Sequence, residues 1–531
     1  MSPPIPIIDL FAGPGGLGEG FSALRKGRAF SIKLSIEMDE YAHQTLQLRA
    51  FFRQFPSSGK RANYYKYVRG EITRSELFRR HRKYANRARR EAWRHKLGSD
   101  RKQVRDKINM ALEGVGDGPW VLIGGPPCQA YSVVGRSRML SERGIAEAQR
   151  NGRSFDSDPR QTLYVEYLRV IAEHAPPVFV MENVRGLLSA KLKGESIFRK
   201  ILRDLENPDD VASEFGFELK HEGLKYRIAP AFTSGQQIGM WGDGGAGDPR
   251  DFLVKAEDHG VPQSRHRIIL IGTRQSPGDP VRYEPNAYKK SGTRVSVADV
   301  IKDLPRLRSR LSSKDGDDFE RWVSYASSPG KSLLNVGPVG GLTKEVINLI
   351  RDASSSLSTD ATDEVGAEFI PGELAGNRLA WWYYDQNLGG VLNHVTRSHM
   401  GSDLGRYFFA AAFASRAKRS PTLHDFPEVL MPDHASAGSR SAFADRFRVQ
   451  VKNQPATTVT SHISKDGHAF IHYDESQSRS LTVREAARLQ TFPDNYFFEG
   501  PRTSQYGQVG NAVPPLLARE IAKVVAKMLT R

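Results

Sequence analysis

Cys128 is the one cysteine in 531 residues, and it follows the turn Gly124-Gly125-Pro126-Pro127 directly after the apolar run Trp120-Val121-Leu122-Ile123. Such a run predicts a buried strand; the glycines let backbone come close and the prolines stiffen the turn, so the thiol is delivered to a strand's carboxyl end. A thiol placed there reads as a nucleophile. A carboxyl is delivered in the same way, because Val178-Phe179-Val180-Met181 runs into Glu182-Asn183-Val184. A carboxyl at a strand end can handle protons for a neighbouring reaction. Arg265 and Arg267 alternate into Ile268-Ile269-Leu270-Ile271, and the period of two in a strand turns both guanidinium groups to one side.

These groups need a scaffold that lines up strand ends. Ile5–Phe11 runs into Ala12-Gly13-Pro14-Gly15-Gly16-Leu17-Gly18, a strand followed by a glycine-rich turn and a predicted helix, which has the form of a nucleotide-binding first turn. Ser31–Ile36 alternates polar and apolar residues and ends in Glu37, about 20 residues beyond the glycines, where a carboxylate reaches a ribose hydroxyl. Leu163, Tyr167, Leu168 and Ile171 have helix spacing between the cysteine strand and the Glu182 strand. The pattern is β-α-β with right-handed crossovers expected, and an open parallel sheet binds ligands at its carboxyl edge.

With these blocks in view, the chain resembles the DNA (cytosine-5-)-methyltransferase family. The resemblance rests on Asp9-Leu10-Phe11-Ala12-Gly13, Gly125-Pro126-Pro127-Cys128-Gln129, Glu182-Asn183-Val184, Gln263-Ser264-Arg265-His266-Arg267, Arg484-Glu485-Ala486-Ala487-Arg488-Leu489-Gln490 and Gln508-Val509-Gly510-Asn511-Ala512-Val513-Pro514, in the family's order. It implies an α/β, Rossmann-like S-adenosylmethionine-dependent methyltransferase fold with an inserted target-recognition domain. Residues 1–275 and 506–531 would form the catalytic domain, with a basic insertion at about 51–118, and 276–505 would form the recognition domain.

The resemblance also implies a chemistry. The Cys128 thiolate would add to carbon 6 of a flipped-out cytosine, so that carbon 5 can attack the methyl of S-adenosylmethionine. Glu182 would steady ring nitrogen 3 and the exocyclic amine, and Arg265 and Arg267 would hold the base oxygen and neighbouring phosphates. Phe11 would stack on the adenine, Gly13 and Gly15 would admit the methionine moiety, Glu37 would take the ribose hydroxyls, and Pro127, Leu163 and Asn511 would complete the cofactor site. Gly70-Glu71-Ile72 stands where the family has a short segment touching the adenine amine. No residue is assigned as the base that removes the carbon 5 proton. No metal is implied; there is no Cys/His cluster with zinc spacing, and His394 and His399 read as packing or DNA contacts.

The charge is concentrated. Between Lys60 and Lys107 stand 18 lysines and arginines against 5 acids, which carries 13 of the chain's net charge of +17. Interleaved Tyr64, Tyr65, Tyr67, Tyr84 and Trp93 predict helices with one basic face, suited to duplex phosphate contact that positions without specifying. The stretch Ala130–Arg160, with Arg136, Arg138, Arg143, Arg150 and Arg153 and glycines at 135, 144 and 152, reads as a loop able to close over DNA. Gly235–Asp248 reads as an excursion between strands, and the Ser/Thr-rich stretch Ala353–Thr362 as a loop.

Composition agrees. The chain is long enough for two lobes, and 39% hydrophobic residues suffice for packed cores. No stretch approaches the roughly 20 apolar residues of a membrane span, and one cysteine leaves no internal disulfide, which fits a reducing cytoplasm. The first motif begins at residue 9, so no N-terminal regulatory module is expected. The expectation is methylation of double-stranded DNA for host protection, in restriction–modification or phage defence, with a cognate nuclease or defence-system protein as partner. The alternatives are methylation of cytosine in structured RNA and a regulator that grips DNA without turnover.

Overall fold

The computed structural model describes residues 3–55, 61–116, 118–127, 159–192, 195–232, 248–275, 294–312, 314, 316–334, 337–338, 341–432 and 444–529. Cys128, Ala130–Asp158 of the arginine-rich loop and all of Gly235–Asp248 but its last residue lie outside the described residues.

Eight strands form one sheet: β1 (Ile5–Leu10), β2 (Phe30–Glu37), β3 (Ala92–Arg94), β4 (Val121–Gly124), β5 (Val178–Val184), β6 (Tyr226–Pro230), β7 (Leu253–Lys255) and β8 (His266–Arg274). The order is β3-β2-β1-β4-β5-β8-β6, with β7 also on β8. The first five run parallel, and β8 is antiparallel to β5, β6 and β7. The strand runs read from the sequence fall on β1, β2, β4, β5 and β8; β4 and most of β5 are buried on both faces as parallel strands are, while β2 exposes Lys33.

Helices α1 (Gly16–Ala23) and α2 (Glu40–Arg53) follow β1 and β2. The basic segment folds as α3 (Ala62–Val68), α4 (Arg74–Arg80), α5 (Arg82–Glu91) and, beyond β3, α6 (Arg101–Ala111). The helix Pro159–His174 connects β4 to β5 in sequence. The C-terminal helix Pro515–Leu529 buries its apolar stripe against α1, where a Cβ on Gly20 would meet the carbonyl of Pro515 at 2.3 Å. The end of the chain thus packs against its beginning.

Two large cores flank the sheet. One joins Ile7, Phe21 and Val121 to Leu489, Phe492, Phe498, Leu517 and Ile521; the other joins Ile8, Leu122, Tyr167, Phe179 and Leu270. A separate core gathers Trp322, Ile350, Phe408, Phe413, Phe426 and Ile471. The region 276–505 therefore contributes to more than one packing unit, since Leu481–Phe498 packs with β1 and α1, and Leu388 and Leu392 join a further core with residues of α2–α5.

The Ser/Thr-rich stretch read as a loop is instead mostly helix, within Lys344–Asp360. Thr343 caps it by accepting from the Val346 amide, and Val346, Ile347, Ile350 and Leu357 bury one side. Its hydroxyls bond back along the helix, Ser355 to the Arg351 carbonyl at 3.0 Å and Thr359 to that of Ser356 at 2.7 Å, so their polar groups cost the helix little.

Candidate active site

Ile36, Leu10, Gly124 and Met181 form one row of paired residues across β2, β1, β4 and β5. The next residue on each strand is Glu37, Phe11, Gly125 and Glu182. Four separate sequence signals therefore end on one edge, at the place where the chain order reverses across β1.

On the β1–β2 side, Phe11 and Gly13 have left-handed backbones, with φ of 57° and 58°, and Gly15 lies at 97°. Glu37 holds the turn: its Oε2 accepts from the Gly13 amide at 2.8 Å and its Oε1 from the Asp39 amide at 2.7 Å. Burial pushes the Glu37 carboxyl up from its ordinary value. A Cβ on Gly13 would meet nothing within 4 Å, whereas on Gly15 it would strike Leu46 at 2.8 Å. A glycine turn with open space above it and a carboxylate at its side fits a nucleoside-bearing cofactor. Pro127 is half-buried just beyond β4, Leu163 is half-buried on the helix Pro159–His174, and Asn511 is exposed at the end of the helix Arg502–Asn511. Close behind Asn511, the Val513 carbonyl lies 2.3 Å from where a Cβ on Gly16 would stand, so Asn511 is anchored next to the glycine turn.

Glu71 stands elsewhere, exposed on the turn after α3 and 3.6 Å from Arg69. The backbone beside Glu37 is that leaving β3, where the His95 amide donates to the Glu37 carbonyl at 3.0 Å.

On the β4–β5 side, Glu182 is the centre. Arg267 Nε lies 2.9 Å from Glu182 Oε1, both side chains being 13% exposed. Glu182 Oε2 stands 3.0 Å from where a Cβ on Gly125 would be, so a side chain there would press on the carboxyl beside the turn that carries Cys128. Asn183 donates from Nδ2 to the Pro126 carbonyl at 3.4 Å, tying that turn to β5.

The structure separates the two arginines. Arg265 is 2% exposed and donates to the Val459 carbonyl at 2.8 Å and to the Gly510 carbonyl at 3.4 Å. Burial, reinforced by neighbouring Arg267, holds its pKa well below the ordinary value. It braces the segments carrying Val459 and Gly510 and does not open onto a phosphate.

His394 and His399 are buried. His394 Nδ1 lies 2.9 Å from Thr482 Oγ1 and its Nε2 2.9 Å from the Pro305 carbonyl, while His399 Nε2 lies 3.1 Å from Ser480 Oγ.

The sequence reading missed the braces behind the site. Arg484 donates to the carbonyls of Leu392, Pro493 and Tyr496, and Arg488 grips Asp494 and Asp303. Tyr496 donates to the Pro14 carbonyl within the glycine turn. Arginines four apart in a short helix whose other residues are apolar except Glu485 are the signal that could have shown them. The tyrosines of the basic segment also dock inward: Tyr65 donates to Asp385, Tyr64 to the Asn495 carbonyl and Tyr67 to Glu499.

A glycine turn with a carboxylate at its side and Glu182, at the ends of neighbouring parallel strands in a mixed sheet, fit the Rossmann-like class of S-adenosylmethionine-dependent methyltransferases. Comparison with known proteins narrows that class. The family model described as C-5 cytosine-specific DNA methylase matches residues 100–220 and 252–527. The type II methyltransferase M.Bpa9945I of Bacillus paralicheniformis is 31% identical over 543 residues, spanning 98% of this chain and 99% of that protein. M.AgeI of Thalassovita gelatinovora is 26% identical across 98% of both chains. The DNA (cytosine-5-)-methyltransferase M.ApeKI of Aeropyrum pernix is 26% identical across 77% of this chain and 81% of its own. This chain belongs to the C-5 cytosine-specific DNA methylase family, and S-adenosylmethionine is its methyl donor.

Proposed function

We propose that the enzyme methylates carbon 5 of cytosine in one recurrent double-stranded DNA sequence, acting on a base turned out of the helix. The observation that carries this reading is the Arg267–Glu182 pair standing against Gly125, two residues before the turn's prolines end and three before Cys128. S-adenosylmethionine supplies an electrophilic methyl group. The Cys128 thiolate adds to carbon 6 of the base, which raises the electron density at carbon 5; after transfer, the carbon 5 proton leaves to water and the carbon–sulfur bond breaks, regenerating the thiolate. Glu182 holds nitrogen 3 and the exocyclic amine, which distinguishes cytosine from thymine, while Arg267 fixes the Glu182 carboxyl and faces the base oxygen. Arg265 acts from behind as a positioning residue. Phe11, Gly13, Gly15, Glu37, Pro127, Leu163 and Asn511 hold the cofactor.

The region 276–505 supplies the target-recognition surface, with DNA lying between it and the catalytic edge. The full-length similarity to type II methyltransferases supports a role in protecting host DNA, with a cognate restriction nuclease or other defence protein as partner and the cytoplasm as its place. Among the described residues no helix is long and apolar enough to cross a membrane.

Single-base methylation sequencing of unmethylated genomic DNA treated with the enzyme and S-adenosylmethionine tests the reading. 5-Methylcytosine at one recurrent motif, absent with Cys128→Ser, is expected. Turnover retained in Cys128→Ser would overturn the mechanism.

A further inference from the structure

A second cationic surface lies at the opposite end of the sheet from the active site. The amino-terminal ends of β1 and β2, the last turn of α2 and the helix α5 enclose a cleft of about 860 Å³. Its lining includes Pro4, which precedes β1, and Phe30–Lys33, which begin β2. Strands of this length put it about 20 Å from Phe11 and Glu37.

The charges in the cleft divide into two sets. At its base Arg49 and Arg53 are neutralised by Glu19 and Glu91. Around it Lys26, Lys33, Arg61, Arg87 and Arg90 have no acidic partner among the described residues. Arg61 is held in place: its guanidinium sits 4.1 Å from the centre of the Phe52 ring, whose neighbourhood also holds Arg49 at 4.3 Å. Its Nε is buried and has no hydrogen-bond partner among the described residues. A guanidinium fixed by stacking on the lining of the cleft adds a positioned positive charge with no acidic partner among the described residues.

The surface does not stop at the cleft. Arg82, Lys83 and Arg89 continue the exposed face of α5 that bears Arg87 and Arg90. Over a helix of 10 residues this makes a cationic track about 15 Å long. A compact anion would occupy the cleft and leave the track bare, whereas a chain of phosphates uses both.

We propose that this cleft and the outer face of α5 form a second nucleic-acid backbone site, holding a DNA segment other than the one that presents the target cytosine. The proposal rests on the DNA-methylating function above. The segment is either a flank of the target duplex bent round the edge of the sheet or a separate duplex. The protein touches phosphates there, so the site adds affinity without sequence preference.

The test measures binding of the full-length enzyme to a short duplex covering only the target site and to one several helical turns longer, over a salt series, for wild type and Arg87→Gln/Arg90→Gln. The variant is expected to bind and methylate the short duplex as wild type does. On the long duplex its affinity should fall about ten-fold, and the slope of log affinity against log salt should become shallower by about 0.9 for each phosphate that the variant no longer neutralises. A loss of affinity seen only with the long target duplex identifies a bent flank; one seen also when a separate long duplex is added to the complex with the short one identifies a second duplex. Lys26→Gln/Lys33→Gln, on the opposite wall, should reproduce the effect and serves if the first variant does not fold. Equal losses on short and long duplexes, or none on either, would overturn the proposal. So would thermal stabilisation by tripolyphosphate with unchanged binding to long DNA, which would mark a small-anion site. Failure of the functional reading would look different, as no methylation of the short duplex by wild type.

Discussion

Arg267 reaches back across the β5–β8 pairing to Glu182, its Nε 2.9 Å from Oε1, although the backbone partner of Arg267 is Val184 and that of Glu182 is Ile269. The pair is thus diagonal, and it leaves the second carboxyl oxygen facing Gly125 and the turn that carries Cys128. Burial lowers the Arg267 pKa from its ordinary value, and the carboxylate works against that shift, so each side chain keeps the other in register.

Glu182→Gln should therefore fold, bind DNA and lower the single-turnover methylation rate by about 10²-fold or more, the range for a lost proton-handling group. Arg267→Ala should lower the rate by a smaller factor and also cost about 1–3 kcal/mol of stability by leaving a partly buried carboxyl without its partner. Rates within two-fold of wild type for both would remove the pair from the reaction.

Glu37→Ala acts on the other half of the edge. It removes the acceptor for the Gly13 and Asp39 amides as well as the proposed ribose contact. Calorimetric titration should show S-adenosylmethionine affinity reduced by about ten- to a hundred-fold, with DNA affinity unchanged in the absence of cofactor. A fall in both affinities would show that the variant disturbs the lobe as a whole.

Much of the sheet was legible in the sequence because β4 and β5 are buried on both faces and so appear as apolar runs, β2 shows as an alternation, and the chemistry sits immediately after those strands, whereas the three-residue β3 left no local signal. Val178–Met181 followed by Glu182 is a local signal. The place of Arg265 was not legible: alternation puts it on the same side as Arg267, but its distance from solvent depends on Val459 and Gly510, nearly 200 and about 250 residues away in sequence. The helix Lys344–Asp360 was hidden for a different reason, since serine-rich composition conceals a buried stripe of only four residues. The tyrosines of the basic segment looked like part of a DNA surface, yet Tyr64, Tyr65 and Tyr67 bond to residues beyond 380 that no local pattern announces.

Arg488 offers a test of how the segment 483–494 is held to the segment that carries Val300 and Asp303. It is fully buried, with Nε and Nη2 each 2.9 Å from Asp494 and Nη1 2.7 Å from Asp303. Arg488→Ala leaves two carboxylates without their cation and should cost about 3–5 kcal/mol. Urea unfolding should register this as a lower midpoint with an unchanged slope. The double change with Asp494→Ala should recover part of the loss, because it removes one of the stranded charges.

Asp9 gives the stability of the fold a pH dependence of its own. It lies inside β1 with 1% exposure, and neither carboxyl oxygen has a hydrogen-bond partner among the described residues. Its Oδ2 stands 3.0 Å from where a Cβ on Gly18 would be, at the start of α1. Burial raises its pKa from 3.8 to about 8, with Arg53 opposing the shift and Glu37 and Glu91 adding to it. The folded protein therefore keeps this proton up to about pH 8, while the unfolded chain releases it near 3.8. Between those values the folded state binds more protons than the unfolded one, so the stabilisation is complete at the acid end and is lost as the pH rises toward 8. The slope from this one group is up to about 1.4 kcal/mol per pH unit. Asp9→Asn cannot titrate. Urea midpoints measured from pH 5 to pH 8, spanning roughly the window between the two values, should fall more steeply for wild type than for the variant, so the variant gains relative stability toward pH 8. Parallel curves would show that Asp9 is ionised in the folded protein and has found a partner in the cofactor turn.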